Sequence, residues 1–360
     1  MVCHAGAMLQ ARQLGKELYV GVHSDEDILA NKGPTVMRLD ERICAVDACK
    51  WSTEAVPDSP YVTEPLWMDK YGCKYVVHGD DITTDANGND CYQEVKDIGR
   101  FVVVKRTPNI STTDLVGRML LLSKTHHYRK LIGEGDIESH PLLSRDNIIR
   151  FQQYATDSTG LAPGSGVYVF NGTNVTKLVA PKDDLSANVA NVNYVDGGFD
   201  LFHPGHVEAL HEIKKRYPTT PLIVGIHDDA TINSVKGLNY PIMNMLERSL
   251  CVLQCKYVDG VVLGAPYEPT IEFISILKDQ LNINVVKLFH GPTPIRNHAY
   301  DKLKDLLEEI GPHAYDEMNT EFIVRRVLDN RNAYEERQRK KGWKSELELK
   351  LQQEEKSNMS

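Results

Sequence analysis

The feature that most constrains the fold of this 360-residue chain is an internal repeat. The run VGVHSD at 20–25 recurs as VGIHDD at 224–229, and three further matches follow in the same order. These matches pair Lys32-Gly33 with Lys236-Gly237, Glu41-Arg42 with Glu247-Arg248, and Cys49-Lys50 with Cys255-Lys256. Because the period is far longer than that of a solenoid repeat, the sequence predicts a duplicated domain rather than an array.

Each copy alternates strand-like and helical patterns. In the first copy, residues 18–22, 75–78 and 101–105 are predicted strands, while 39–49 and 111–122 are predicted helices. This alternation is typical of a parallel sheet whose ligands bind at the carboxyl ends of the strands. We therefore expect an α/β fold with two tandem Rossmann-like domains, each a parallel sheet with helices on both faces.

The domain boundaries are predicted from the places where this pattern weakens. Residues 123–190 match neither copy and contain a turn-rich run at 163–166, so we interpret them as an inter-domain linker. Beyond residue 330 the chain is highly charged, which predicts a solvated helix or frayed tail. The expected parts are a first domain at 1–122, the linker at 123–190, a second domain at 191–330 and a charged tail at 331–360.

The composition argues against several classes of protein. The formal net charge is -9, whereas a general nucleic-acid binder would be basic. No apolar run approaches the ~20 residues of a membrane span, so we expect no stable membrane insertion. The seven cysteines are scattered without metal-ligand spacing, which indicates reduced thiols, no protein metal cluster and a cytoplasmic location. The oligomeric state stays open, with a homodimer as one alternative.

The run VDGGFDLFHPGH at 195–206 carries the clearest chemistry. A strand-like segment leads into small glycines, and His203 and His206 then stand at the start of a predicted helix. Residues three apart on a first helical turn share one face, and the unpaired N–H groups there attract phosphate. The alternative is that the histidines only cap the helix. The pair and its preceding glycines favour a phosphate site.

Alignment of the two copies places His4 opposite His206. The printed sequence of the first copy has no counterpart of the first histidine, the glycine turn or the preceding strand. We therefore expect a first domain without its first strand, as in a shortened gene product. Neighbouring strands would then carry unpaired backbone groups, and the chain as written is expected to turn over slowly or not at all.

Two further groups of residues in the first copy are suited to phosphate. The run RTPNISTTD at 106–114 joins a predicted strand to a helix and offers an arginine, hydroxyls and backbone N–H groups. Lys32 and Lys236 each stand in a predicted Lys-Gly loop at the same place in the repeat. A lysine is a movable point charge, and its recurrence there favours phosphate binding over a solvated surface role.

A carboxylate-rich strand end is the fourth candidate site. The run HGDD at 78–81 follows a predicted strand and offers carboxylates to an ammonium group, with Trp51 and Tyr92 as cation–π partners. For Trp51 a simple core position is an equal alternative. The second copy reads HGPT at 290–293, without carboxylates, and EMNTE at 317–321, where only one hydroxyl of the first copy's set remains.

These motifs together resemble a known superfamily. The HPGH run at 203–206 resembles the HxGH signature of the nucleotidyltransferases, and RTPNISTT at 106–113 resembles the RTxGISTT signature of cytidylyltransferases, with Asn109 where that family prefers glycine. Nearly the whole chain resembles the tandem-domain cytidylyltransferases that act on ethanolamine phosphate. Single-domain relatives with an amphipathic membrane helix, which act on choline phosphate, match this layout less well.

The resemblance implies that CTP and phosphoethanolamine form CDP-ethanolamine and pyrophosphate, a step of phosphatidylethanolamine synthesis, with Mg²⁺ accompanying CTP. The implied catalytic positions are His203, His206, His4, Lys32 and Lys236. The implied nucleotide-binding positions are Gly198, Phe199, Arg106, Ile110, Ser111, Thr112, Thr113, His290, Gly291, Pro292, Thr293, Asn319 and Thr320. The implied acceptor positions are His78, Gly79, Asp80, Asp81, Trp51 and Tyr92.

Two alternatives stay open at this point, because neither copy has the complete set of motifs. In the first alternative, the chain is a truncated pseudoenzyme that binds nucleotide or a partner subunit without turnover. Alternatively, it is a cytidylyltransferase for another small phosphate, such as phosphocholine or glycerol 3-phosphate. The tandem layout favours phosphoethanolamine over these acceptors.

Overall fold

A computed structural model describes residues 2–105, 112–131, 139–182, 190–291, 300–336 and 339, without the side chains of 2–3 and 112–113. The chain divides into two compact units. The first unit, which holds the second copy of the repeat, contains Leu121–Thr320 together with Ala48–Trp51. The second unit contains Cys3–Asp47, Ser52–Leu120 and the chain from Glu321 onward.

Strands and helices alternate along the described chain, as the sequence predicts. The helices are α1 Val2–Arg12, α2 Asp25–Lys32, α3 Leu39–Asp47, α4 Pro65–Lys70, α5 Gln93–Asp97, α6 Thr112–Leu121, α7 Arg145–Tyr154, α8 Pro204–Arg216, α9 Asp229–Lys236, α10 Met245–Leu253, α11 Ile271–Leu281 and α12 Thr320–Asp329. The strands are β1 Tyr19–Val22, β2 Glu54–Pro57, β3 Val76–Gly79, β4 Phe101–Val104, β5 Gly166–Phe170, β6 Val175–Val179, β7 Ala190–Gly197, β8 Leu222–Ile226, β9 Gly260–Leu263, β10 Ile283–His290 and β11 Leu307–Glu309.

The first unit is built on one seven-stranded sheet with the order β11-β10-β7-β8-β9-β5-β6. Every neighbouring pair is parallel except β5 and β6, which are antiparallel. Strand β7 lies inside this sheet, where it pairs with β8 on one side and with β10 on the other. Apolar side chains from β5, β7, β10 and α11 form a buried core against this sheet. The predicted α/β class is confirmed.

The segment that we interpreted as a linker contributes to this sheet. Strand β5 pairs in parallel with β9, from Gly166 opposite Gly260 to Val169 opposite Leu263, and β6 adds an antiparallel edge. All five residues of β5 are buried. The weak pattern of 123–190 therefore includes a run of apolar residues that the sheet buries on both faces, as is typical of an interior strand.

The second unit contains shorter pieces of the same arrangement. Strands β1 and β2 pair in parallel, and β3 and β4 form a separate parallel pair. By the repeat, β1 corresponds to β8 and β3 to β10, which in the first unit both pair with β7. Among the described residues of the second unit, no strand pairs with both β1 and β3. In the first unit, β7 occupies the corresponding position between β8 and β10.

Candidate active site

The turn that follows β7 is held by one buried carboxylate. Asp200 accepts hydrogen bonds from the backbone N–H groups of Ile242 at 2.7 Å, Met243 at 2.9 Å and Leu201 at 3.0 Å. Two non-glycine residues of this turn, Phe199 and Leu201, adopt positive φ of 50° and 49°. Such backbone costs roughly 1–2 kcal/mol per residue, so the carboxylate's three bonds stabilise a conformation that the chain would otherwise avoid.

The glycine between the two histidines is required by a close approach of another backbone segment. A Cβ on Gly205 would lie 2.6 Å from the Met318 carbonyl oxygen and 2.8 Å from that of Tyr315. The predicted nucleotide-binding residue Thr320 belongs to the same contact, because its buried hydroxyl donates to the Asp200 carbonyl at 3.2 Å. Thr320 therefore stabilises the turn through its hydroxyl, while its neighbour Asn319 is exposed.

The histidine pair is stacked at the start of α8. The ring centroids of His203 and His206 are 3.8 Å apart with an interplanar angle of 27°. Nδ1 of His206 accepts the backbone N–H of His203 at 3.4 Å, which assigns the ring proton to Nε2 in the neutral tautomer. Neither ring nitrogen of His203, which is 2% exposed, has a hydrogen-bond partner among the described residues. A buried donor without a partner indicates a ligand site.

Burial keeps both imidazoles neutral. It lowers the pKa of His203 to about 3, with electrostatic contributions from Lys236 and His313 adding to the effect. The pKa of His206 is also lowered well below its usual value, first by burial and then by His203, Lys236 and His313. The pair can therefore donate hydrogen bonds to an anion without being cationic itself.

His313 is a residue near this pair that sequence reasoning missed. It lies on the segment that passes Gly205, and its Nδ1 accepts the Tyr315 N–H at 3.4 Å. In the repeat it occupies the place of the RTPNISTT run of the first copy. The only available signal was a histidine in that aligned segment.

The two lysines end helices rather than lying in loops, which corrects the sequence prediction. Lys32 is the last residue of α2 and Lys236 the last residue of α9, and each is followed by a glycine with positive φ. Side chains of Ser24 and Asp228 cap the helix starts, so both short helices are stabilised at both ends. The lysines are exposed, and Lys236 affects the pKa of both histidines of the pair.

An arginine tied to the glycine turn is a second feature that sequence reasoning left without a role. Arg248 donates to Gly198 O at 2.5 Å, His227 O at 2.7 Å and Met243 O at 3.1 Å. It also pairs with Asp229 at 2.8 Å, and both side chains are 0% exposed. The second unit has the same pair as Arg42 and Asp25, at 2.5 Å but partly exposed. Recurrence of the arginine in both copies was the available signal.

The end of β10 carries an aromatic and acidic cluster. Tyr300 OH lies 3.2 Å from His290 Nδ1, and their ring centroids are 5.2 Å apart. On the adjacent strand, Asp196 Oδ2 and Tyr194 OH have no hydrogen-bond partner among the described residues. Burial raises the pKa of Asp196 well above its usual value. A cation or N–H donor would satisfy this carboxylate. Gly291 is described, whereas the predicted Pro292 and Thr293 lie outside the described residues.

In the second unit, the predicted acceptor residues at the end of β3 do come together. The ring centroids of His78 and Tyr92 are 4.7 Å apart, and those of His290 and Tyr300 in the first unit are 5.2 Å apart. The pKa of His78 is lowered, mainly by burial, while the charge of Asp81 acts to raise it and that of Lys32 to lower it.

The two aspartates of this strand end are accessible. Asp80 and Asp81 are exposed, and a Cβ on Gly79 would lie 2.8 Å from Asp81 Oδ1. Glycine at this position therefore lets the carboxylate fold back over the strand end. An exposed carboxylate beside His78 and Tyr92 is suited to bind an ammonium group.

Trp51 is not part of this cluster, which corrects the sequence prediction. It belongs to the first unit, is 0% exposed, and donates from Nε1 to Asp157 O at 3.1 Å. Its ring packs edge-on against Tyr154 with centroids 5.4 Å apart. Because the indole is buried and its ring already lies 5.6 Å from Lys50 Nζ, Trp51 is a core residue and does not line the site at the end of β3.

The remaining predicted residues of the first copy are His4 and five positions of the run that follows β4. His4 is exposed on α1, and α1 is tied to the residue after β4 because Gln10 donates to Lys105 O at 2.8 Å and accepts its N–H at 3.1 Å. Arg106, Ile110 and Ser111 lie outside the described residues. Thr112 and Thr113 begin α6, as predicted, with side chains outside the description. Their roles stay predictions.

Comparisons with known proteins identify the family of this chain. A family model described as cytidylyltransferase-like matches residues 2–118 and 194–325. The ethanolamine-phosphate cytidylyltransferase of Dictyostelium discoideum is 42% identical over 348 residues, which cover 94% of this chain and 90% of that protein. The enzyme of that name from Mus musculus is 40% identical over 355 residues, covering 94% and 85%.

Relatives that are named for another substrate match less of the chain. Choline-phosphate cytidylyltransferase A of Mus musculus is 37% identical over 119 residues, which cover 32% of this chain and 32% of that protein. The matches to the ethanolamine-phosphate enzymes instead include both copies of the repeat. The chain therefore belongs to the cytidylyltransferase-like family and, within it, to the ethanolamine-phosphate cytidylyltransferases.

Proposed function

We propose that this chain transfers the cytidylyl group of CTP to phosphoethanolamine and so forms CDP-ethanolamine and pyrophosphate. The observation that carries this proposal is the similarity, over nearly the whole chain, to enzymes named for that acceptor. The stacked histidines at a strand-to-helix turn supply a matching anion site in the first unit. The product serves phosphatidylethanolamine synthesis.

The chemistry is an in-line displacement. A phosphate oxygen of the acceptor attacks the α-phosphorus of CTP while pyrophosphate leaves, and no covalent enzyme intermediate is needed. Catalysis is then positioning and stabilisation of charge on the phosphoryl oxygens. Neutral imidazoles at the start of α8 are suited to donate hydrogen bonds to those oxygens, and Lys236 to balance their charge. Such preorganised donors are typically worth 10²–10³ in rate.

Recognition of the acceptor's ammonium group is assigned to acidic and aromatic side chains at strand ends. In the second unit these are Asp81, His78 and Tyr92; the rings of His78 and Tyr92 are in contact, and the charges of Asp81 and Lys32 both influence the pKa of His78. An ammonium at the carboxylate and a phosphate at the lysine match the two ends of phosphoethanolamine. A quaternary ammonium lacks N–H donors, so the carboxylate favours the primary amine.

Mg²⁺ is proposed to accompany the triphosphate. The described residues contain no group of three or more His, Cys, Asp or Glu that could hold a metal ion. We therefore assign the ion to phosphate oxygens of the nucleotide, where it would neutralise charge on the leaving pyrophosphate. No protein ligand is assigned to it.

A cytoplasmic location and a homodimer also belong to the proposal. Within the described ranges, no helix has both the length and the apolar composition of a membrane span. Cell fractionation and light scattering would test the location and the oligomeric state.

The direct test is product formation with three acceptors. The chain is incubated with CTP, Mg²⁺ and phosphoethanolamine, phosphocholine or glycerol 3-phosphate, and nucleotide products are separated by chromatography. We expect CDP-ethanolamine to be the main product. Preferential use of another acceptor would overturn the substrate assignment, and binding of CTP without any product would favour the pseudoenzyme alternative.

A further inference from the structure

The segment that follows Lys32 is held by side chains from the C-terminal end of the chain. We call residues 33–38, which join α2 to α3, the lysine loop. Arg326 on α12 donates from Nη1 to Val36 O at 3.0 Å. Tyr334, which is 2% exposed, donates from its hydroxyl to Thr35 O at 2.8 Å. Two backbone carbonyls of the loop are thus fixed from outside it.

A bidentate ion pair anchors the same contact. Arg326 binds Glu41 through two hydrogen bonds of 2.7 Å and 2.9 Å, and the Glu41 side chain is 0% exposed. Glu41 Oε2 also accepts the backbone N–H of Arg38 at 2.8 Å, at the end of the lysine loop. This carboxylate raises the pKa of Arg326. Because removing one partner strands a buried charge, the contact is held firmly.

In the first unit, the equivalent loop is fixed by residues of its own site. Asn233 donates to Tyr240 O at 2.6 Å, and Asp200 accepts the N–H groups of Ile242 and Met243. Glu247 caps the end of that loop as Glu41 does in the second unit. The two loops match in sequence position. The loop of the first unit is fixed from the histidine turn, whereas the lysine loop of the second unit is fixed from α12 and the residues after it.

We propose that Arg326 and Tyr334 are positioning residues for Lys32, so that the C-terminal end of the chain sets phosphate binding in the second unit. Lys32 precedes Gly33, whose positive φ of 87° begins the lysine loop, and it lies 5.6 Å from the Tyr61 ring. Fixing the loop fixes the end of α2 from which the lysine projects. This inference rests on the proposed function, because that function assigns Lys32 to phosphate.

The first measurement asks whether the contact fixes the loop. Hydrogen exchange is compared for the full chain, Arg326→Gln and Tyr334→Phe, with Arg325→Gln as a control because Arg325 is exposed on the same helix. We expect faster exchange across 33–38 in Arg326→Gln and Tyr334→Phe than in the full chain. In Arg325→Gln the exchange rate should equal that of the full chain. The loop at 237–244 serves as an internal reference that should not change. Unchanged exchange at 33–38 would overturn the proposal.

The second measurement asks whether the effect passes through Lys32. Arg326→Gln should lower kcat/KM for phosphoethanolamine about tenfold, and Tyr334→Phe should have a smaller effect. In a Lys32→Ala background, Arg326→Gln should cause no further loss, whereas a general loss of folding would lower activity in both backgrounds. Additive losses would overturn the proposal.

The two hypotheses fail in different ways. If the unmodified chain forms no CDP-ethanolamine, the proposed function fails, and the effect of Arg326→Gln on CTP affinity is then measured by calorimetry with and without Lys32→Ala. A Lys32-dependent loss of CTP affinity would still support positioning. Equal losses with and without Lys32 would overturn it.

Discussion

The two units place the same repeated residues in different degrees of burial. In the first unit, the pair of Arg248 and Asp229 is 0% exposed on both sides, whereas Arg42 and Asp25 in the second unit are 19% and 35% exposed. The first unit has one continuous sheet, and the described part of the second has two separate parallel pairs. The comparison shows that one sequence pattern gives an enclosed arginine–aspartate pair in one unit and a partly solvated pair in the other.

The largest expected effect tests this difference in burial. Arg248→Met should lower the free energy of unfolding by about 3–5 kcal/mol, because it leaves the Asp229 carboxylate buried without its cation. Arg42→Met should cost about 1 kcal/mol, because water can solvate the partly exposed Asp25. Urea unfolding of both variants, with hydrogen exchange to locate the loss, provides the measurement. Equal costs would contradict the comparison.

The second prediction concerns nucleotide binding by the stacked histidines. His206→Ala should weaken CMP binding to the first unit on the order of 100-fold, because it removes a preorganised donor and unstacks His203. Calorimetry on the full chain provides the affinity. His211→Ala is the matched control, since His211 lies further along α8 and is 41% exposed. An affinity unchanged by His206→Ala would remove the assignment of the histidine pair.

The third prediction is a pH dependence of the first unit. The pKa of His203 is lowered to about 3 and that of His227 to about 4, mainly by burial. The unfolded chain therefore binds more protons as the pH falls below the ordinary histidine value, and stability present above about pH 6.5 is lost toward pH 4. We expect a loss on the order of 2 kcal/mol for each of these two histidines between pH 7 and pH 5.

Unfolding in urea across this pH range measures that loss. His227→Gln should flatten the profile, because glutamine can still donate to Ala265 O, as His227 does at 3.2 Å, without titrating. The half-buried counterpart His23 should matter less when replaced in the same way. A profile that His227→Gln leaves unchanged would show that burial of this imidazole does not set the acid sensitivity.

The smallest expected effect concerns acceptor selection in the second unit. Asp81→Asn should raise KM for phosphoethanolamine about tenfold and KM for CTP much less, because it removes a charge that faces the ammonium group. Steady-state kinetics with each substrate varied in turn measures the split. Asp97→Asn is the control, because Asp97 is exposed at the end of α5. If both KM values shift alike, the carboxylate assignment is wrong.

The sequence by itself determined the local features of this protein. Alternation of patterns placed most elements within a few residues, and the three-residue spacing of His203 and His206 placed both rings on the first turn of α8. Alignment of the copies also located the strand position that the second unit does not fill among its described residues. These features follow from periodicities of two and 3.6 residues, which neighbours in the chain are enough to fix.

Only the tertiary structure decided which distant residues meet. Trp51 is a core residue because it packs on Tyr154, and β5 joins the sheet because β9 offers it a parallel partner. Arg326 reaches Glu41 across 285 positions of the chain. No local pattern encodes such contacts, because they depend on long-range packing and on the burial of charge, and both are properties of the assembled fold.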